Sequence, residues 1–399
     1  MHTLALFFLF FLRQEEPGIS KSEFRERREA LTSKLHDGLI VFRAQKLKEG
    51  EPGLDENTAR FDFSYLAGYY RAGAILVLHE KTALLFTDET EKARKESAIE
   101  NVLSLERYEA FLKETLPGAK KVYDWRHPWA KEDKRASQKF KDIYPEIQVR
   151  TNVTDEVAKL RLIKSEAELR CLRKAAGATN RAHANAMKTC KSGMNEGELQ
   201  KIIEGTFRKE GCPTNAFPSI LGSGKNGTTL HYMENKDEMK ERTLVVMDIG
   251  AEYRGYAADI TRTIPVDGKF TDPHRDAYQA VLDAQKAAEA VCKPGATWAD
   301  LDAASAKVLR DRGYANTGYM SFHGLGHYVG LSVHDSGSYA ERLEPGMVIT
   351  IEPGIYDPEK EYGIRIEDTY VITQSGFERI SADAPREVKE IEAIMSEEK

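Results

Sequence analysis

At 399 residues the chain is long enough for two or three domains with at least one sizeable core, which excludes a small scaffold dependent on staples. Hydrophobic residues make up 41% and charged residues 31%, the balance of an ordinary globular protein rather than a disordered or fibrous one. Lys+Arg 58 against Asp+Glu 64 gives a formal charge of −6, so no global basic field is present to hold nucleic acid.

Leu4 to Leu12 reads LALFFLFFL, nine apolar residues in a row. That is too short to span a bilayer and close to the length of a signal-peptide core. Met1-His2-Thr3 before it and Arg13-Gln14-Glu15-Glu16 after it are poor flanks for a signal peptide. Residues 1–16 therefore stand as an apolar segment, with an exported and a cytoplasmic location both open. Ser20-x-x-Glu23 has the form of a capping box and predicts a surface helix with apolar residues at Phe24, Leu31 and Leu35. Gly38–Phe42, Ala74–Leu78 and Ala83–Phe86 are short apolar runs that read as strands separated by helical segments. Residues 17–150 thus read as an α/β domain, with a boundary near 150 after the break at Pro145.

The texture changes at Ser165-x-x-Glu168, which caps a long helical pattern towards Cys190; Asn195-x-x-Glu198 caps a second helix with Leu199, Ile202 and Ile203 as its stripe. Thr243–Ile249 and Thr261–Ile264 then form a predicted hairpin. The four cysteines (Cys171, Cys190, Cys212, Cys292) show no C-x-x-C spacing, which argues against a zinc knuckle and a disulfide framework alike. An internal repeat appears at an offset of 102: Ala182, Ala186, Cys190, Lys191, Gly193, Leu199, Arg208 and Gly211 are matched by Ala284, Ala288, Cys292, Lys293, Gly295, Leu301, Arg310 and Gly313. Asn195-x-x-Glu198 likewise parallels Thr297-x-x-Asp300. A duplicated half predicts a pseudo-symmetric domain with its site between the halves. Residues 151–399 accordingly read as α+β, an antiparallel sheet within and helices outside.

The chemistry lies on the strands of this second part. Asp248 interrupts Val-Val-Met-Asp-Ile-Gly, Asp259 follows eleven residues later, Glu352 ends Val-Ile-Thr-Ile-Glu, and Glu367 ends Gly-Ile-Arg-Ile-Glu. His323, His327 and His334 fall within twelve positions of a chain with ten histidines. One strand-end acid is ordinarily a turn or cap residue. Four on apolar strands, without an equal supply of arginine, repel one another unless divalent cations are present. Oxygen donors with one imidazole suit Mn, Co, Zn or Fe(II), and two ions balance four carboxylates.

The segments MDIGAEYRGYAADITRT, HGLGHYVGLSVHD, ITIEPGIY and GIRIEDTYVIT resemble the pita-bread dinuclear metallopeptidases, in particular the Xaa-Pro aminopeptidases (aminopeptidase P) and the prolidases. Ser20 to Leu35 and Asn57 to Gly68 resemble the N-terminal domain of aminopeptidase P more weakly. The resemblance implies that Asp248 chelates one ion, that Asp259 and Glu367 bridge two, and that His327 and Glu352 complete the second. Manganese comes first among the expected ions. Glu352 is then the expected proton carrier, His231 and His334 contact the substrate and its oxyanion, His323 lies near the residue after the cut, and Arg365 and Tyr356 orient Asp248. The implied substrate is a peptide with proline second, cleaved by an Xaa-Pro aminopeptidase, with a dipeptidase as the alternative. A non-catalytic protein on the same fold fits less well, because all five ligand positions are intact. The implied assembly is a dimer or tetramer.

Overall fold

The computed structural model describes residues 18–44, 58–125, 133–151 and 154–396; the apolar run at Leu4–Leu12 lies outside them. No helix among the described residues is long and apolar enough to cross a membrane.

The first part of the chain builds a six-stranded sheet from β1 (Leu39–Arg43), β2 (Ile75–His79), β3 (Thr82–Phe86), β4 (Asn101–Leu103), β5 (Lys121–Asp124) and β6 (Gln148–Arg150), in the order β4-β3-β2-β1-β5-β6. β1 runs antiparallel to β2 and parallel to β5. Leu39 and Val41 pack into one core, while Ile40 and Phe42 face another. Burial on both faces is why these strands read as unbroken apolar runs instead of alternating ones. β2 and β3 form a tight hairpin, so no helix separates them as the sequence suggested. Helices α1 (Lys21–Lys34), α2 (Thr58–Ala67), α3 (Thr90–Glu96), α4 (Arg107–Thr115) and α5 (Asp133–Ile143) accompany the sheet.

α1 departs from its predicted character. Ser20 caps it through the Glu23 N–H, but the Glu23 carboxylate is drawn instead to Arg27 and to the Ser165 hydroxyl. Arg27 and Arg28 are buried, donating to the carbonyls of Tyr65 and Leu66. The helix keeps an exposed face with Arg25, Glu26 and Glu29, but two of its arginines join Phe24 and Leu31 on the buried face, where their stems cover apolar surface while their heads find carbonyl partners.

After α6 (Thr154–Leu162), α7 (Glu166–Thr189) opens with a complete Ser165–Glu168 capping box and α8 (Glu196–Lys209) with an Asn195–Glu198 one. α9 (Asp272–Val291) and α10 (Trp298–Asp311) repeat the pair, and Thr297–Asp300 again forms the full box. α7 and α9 end at Thr189 and Val291, and α8 and α10 span 196–209 and 298–311, so the offset of 102 holds at every one of these boundaries. Gly193 and Gly295 sit at φ +82° and +86°, a conformation glycine adopts without a Cβ penalty.

Inside the helices the strands are antiparallel, but they divide into several small sheets. The first three are short or all-buried strands: β7 (Thr214–Asn215), β8 (Ile220–Ser223) and β9 (Leu244–Ile249). β10 (Ala251–Tyr253), β11 (Tyr256–Ala257) and β12 (Ile260–Pro265) follow. One sheet is ordered β12-β9-β8 and another β11-β10-β7. The expected hairpin of Thr243–Ile249 with Thr261–Ile264 is present as β9 with β12, and β10 and β11 are inserted at its turn. Later come β13 (Val348–Ile351), β14 (Gly354–Asp357), β15 (Tyr362–Arg365), β16 (Asp368–Ile372) and β17 (Phe377–Arg379), then α11 (Val388–Ser396). These form β13-β16-β17 and the β14-β15 pair. The four cysteines are buried and none is in a disulfide.

Candidate active site

Strand register brings the acids together. β9 and β12 pair with Asp248 opposite Thr261 and Ile249 opposite Ile260, which places Asp259 at the start of β12 beside the end of β9. β13 and β16 pair Ile351 with Asp368, so the next step outward sets Glu352 and Glu367 at the same end of that ladder. The Glu367 N–H donates to the Thr261 carbonyl at 3.0 Å and joins the two sheets at the site. His327 enters beside β13, its N–H donating to the Thr350 hydroxyl at 3.0 Å.

Asp259, His327 and Glu367 form a compact group whose ligand atoms all lie within 4.8 Å of one another. The His327 Nδ1 lies 3.1 Å from the Tyr328 carbonyl. A carbonyl only accepts, so Nδ1 carries the proton and Nε2 presents a lone pair. That lone pair faces Asp259 Oδ2 at 3.3 Å, Glu352 Oε1 at 3.4 Å and Glu367 Oε1 at 3.9 Å. Four acceptors pointed at one another, with the Thr350 hydroxyl 3.5 Å from Glu352 Oε1, favour a cation between them. Asp248 Oδ1, Asp259 Oδ1 and Glu367 Oε1 are moreover buried without a hydrogen-bond partner. The donor set thus fits a pair of divalent metal ions, with oxygen ligands in excess and one imidazole.

Without such ions, burial favours the protonated form of Asp259, Glu352 and Glu367. Burial, then repulsion from Asp248 and Glu352, pushes Asp259 well above the carboxylate range. Burial, then Asp259 and Glu352, does the same to Glu367. Burial raises Glu352 to about 7.

Each expected residue has a definite place. Asp248, Asp259, Glu352, Glu367, His327, His231, His323, His334 and Arg365 all line one cavity of 640 Å³. Arg365 donates from Nη2 to Asp248 Oδ2 at 2.7 Å and from Nη1 to the Tyr356 hydroxyl at 3.1 Å. Tyr356 therefore reaches Asp248 through Arg365. Tyr356 also bonds His323 Nε2 at 2.9 Å, while His323 Nδ1 meets the Gly324 carbonyl at 2.7 Å. Both ring nitrogens of His323 are engaged, and burial together with Arg365 lowers it to about 4, so it is a neutral wall. His334 packs edge-on to His327, ring centroids 4.3 Å apart.

Sequence reasoning missed two sets of residues here. Thr261 donates to Glu367 Oε2 at 2.7 Å, and Thr350 holds His327; a hydroxyl on an otherwise apolar buried strand was the available signal. The apolar rim was missed as well. Met233, Phe322 and Tyr339 are 52%, 44% and 57% exposed, and all three border this cavity with Phe217, Leu230 and Val333. Nothing in their spacing marks them, because loops far apart in sequence bring them together.

Residues 170–374 match metallopeptidase family M24. The Xaa-Pro aminopeptidase of Escherichia coli (strain K12) is 33% identical, covering 94% of this chain and 98% of its own. That of Haemophilus influenzae is 31% identical over 95% and 98%. The solved structure of Zn-substituted E. coli aminopeptidase P in complex with product superposes with a TM-score of 0.86 at 29% identity, covering 96% of this chain and 100% of that one. The chain belongs to metallopeptidase family M24, and its α+β architecture is the pita-bread fold that its motifs resemble.

Proposed function

We propose that this protein is an Xaa-Pro aminopeptidase, releasing the first residue of peptides whose second residue is proline, and that it uses two divalent ions, manganese foremost. The observation that carries the choice over a dipeptidase is the fate of Arg365. Among the described residues it is the sole Lys or Arg lining the cavity, and it is spent on Asp248 and Tyr356. A dipeptide would set its C-terminal carboxylate one residue past the cut, where this cavity offers neutral His323 and the exposed ring of Phe322. A buried anion without a counter-charge is disfavoured, whereas a longer peptide carries an uncharged amide at that point and continues along the apolar rim.

In this reading Asp248, Asp259, His327, Glu352 and Glu367 hold the ions, which when bound supply Lewis-acid activation of water and of the scissile carbonyl. Arg365 fixes Asp248, Thr261 fixes Glu367, and the Tyr328 carbonyl fixes the tautomer of His327. Glu352 accepts the proton of the attacking water and delivers it to the leaving proline nitrogen, a role suited to a carboxylate lining the cavity 3.4 Å from His327 Nε2. His231 and His334 border the place where negative charge develops on the carbonyl oxygen and are the donors for it. The flat face of His323 and the ring of Phe322 receive a proline ring, which has no N–H to satisfy.

The test compares Leu-Pro with Leu-Pro-Gly and Leu-Ala-Gly at saturating Mn²⁺. Release of leucine from Leu-Pro-Gly alone is the expected result. Faster cleavage of Leu-Pro would establish the dipeptidase, and equal cleavage of Leu-Ala-Gly would remove proline from the specificity.

A further inference from the structure

The internal repeat carries a functional pair that its identities do not reveal. His183 on α7 and Gln285 on α9 stand 102 residues apart, at equivalent positions of the two halves, and both side chains are fully buried. His183 Nε2 lies 3.0 Å from the carbonyl of Ile260, and because a carbonyl only accepts, Nε2 is the donor. Gln285 Nε2 reaches the carbonyls of Ile351 at 3.1 Å and Ile366 at 3.3 Å, and Asp368 Oδ2 at 3.0 Å. Its Oε1 accepts from Arg386 at 2.8 Å, which fixes the orientation of the amide.

The three carbonyls share one property. Ile260 adjoins Asp259, Ile351 adjoins Glu352, and Ile366 adjoins Glu367. Two different side chains, placed by the two halves at the same helical position, thus bond carbonyls of the residues that adjoin three of the four acids. We infer that His183 and Gln285 are positioning residues for the ion-holding acids, each anchoring its half of the duplicated helices to the strand ends that carry them. The inference rests on the reading of Asp259, Glu352 and Glu367 as ion-holding groups. Burial lowers His183 to about 3, so it stays neutral and keeps its donor throughout the working pH range. Four like-charged groups must be held at fixed spacing for two ions to bind, and the backbone beside each is the least yielding place to hold it.

The experiment measures Mn²⁺ affinity of the full chain by titration calorimetry, beside the melting temperature of the same ion-free samples. His183→Leu and Gln285→Met are expected to weaken Mn²⁺ binding about tenfold, the effect of losing an outer partner of a metal ligand, whereas His183→Gln, which restores an N–H donor, stays within about threefold. Variants that fold but bind Mn²⁺ as tightly as the unchanged protein, even with a lowered melting temperature, overturn the proposal, since a purely structural role would do that. Should Gln285→Met fail to fold, the His183 pair decides. Undiminished binding by an Asp259→Asn control overturns the reading of the ligands and this proposal with it; loss in that control but not in the helix variants overturns the proposal alone.

Discussion

Glu352 lines the cavity beside His327 and Glu367. It stands 3.4 Å from His327 Nε2 and within 3.5 Å of the Thr350 hydroxyl. If it carries the proton, Glu352→Gln at saturating Mn²⁺ lowers kcat by ~10² to 10⁴ while KM moves little; steady-state kinetics on an Xaa-Pro tripeptide read this directly. The same residue sets a pH dependence. Its folded-state affinity for protons is raised from the usual 4.5 to about 7, so its contribution to the stability of the ion-free protein is complete below the lower value. That contribution is lost as pH rises through the upper one. Asp259 and Glu367, raised for the same reason, act in the same direction. The ion-free protein therefore melts lower at about pH 8 than at about pH 5, and added Mn²⁺ reverses the order because it binds the deprotonated site. A melting temperature insensitive to pH without ions would contradict the burial of these carboxyls. All four acids were legible in sequence, since Asp248 interrupts an apolar strand pattern, Glu352 and Glu367 end one, and Asp259 stands just before one. Their partners Thr261 and Thr350 were not, because a threonine on a strand is unremarkable until its neighbours across the ladder are known.

At the scale of elements, the helices were the most legible part of the chain. Ser165, Asn195 and Thr297 all cap as their spacing predicts, because a capping box is built from four consecutive residues, whereas the one at Ser20 stays incomplete where Arg27 and Ser165 draw Glu23 away. The turns between paired helices are equally local. Gly193 and Gly295 adopt positive φ with nothing within 4 Å of a built Cβ, so substitution there costs backbone strain without a clash. Gly193→Ala and Gly295→Ala should each destabilise by about 1 kcal/mol, and by nearly equal amounts, when unfolding is followed in urea. Unequal losses would mean that the two turns are not structurally equivalent. The strands were less legible. Their locations were readable, but the insertion of β10 and β11 at the turn of the β9–β12 hairpin, and the division into small sheets, depend on pairing between segments far apart in the chain. α1 shows the same limit, since its arginines look solvated until α2 and α7 are placed beside it.

Across the whole molecule, the early sheet and the catalytic strands share a core. Ile40 and Leu76 lie in the same apolar cluster as Val157, Leu172, Val329 and Val371. A buried ion network also crosses this region. Arg161 pairs with Asp62 at 2.7 Å and with Asp335, and Lys164 reaches Asp335 at 3.1 Å, all with side chains at most 2% exposed. Asp335 follows His334, so the network ties α2 and α6 to the loop that lines the cavity. Arg161→Met leaves Asp62 buried without its cation and should cost about 3 to 5 kcal/mol, measured by chemical denaturation. A loss under about 1 kcal/mol would show that Asp62 is protonated or rehydrated in the variant. The sequence by itself determined the family, the placing of Asp248, Asp259, Glu352 and Glu367 on or beside apolar strands, the histidine cluster holding His327, the capped starts of α7, α8 and α10, and the duplication, because each is written in short runs of residues. Only the tertiary structure decided that Arg365 is spent on Asp248, that Met233, Phe322 and Tyr339 rim one cavity, and that His183 and Gln285 reach the strand ends. These are relations between segments separated by tens to hundreds of residues, and strand register and burial set them rather than local pattern.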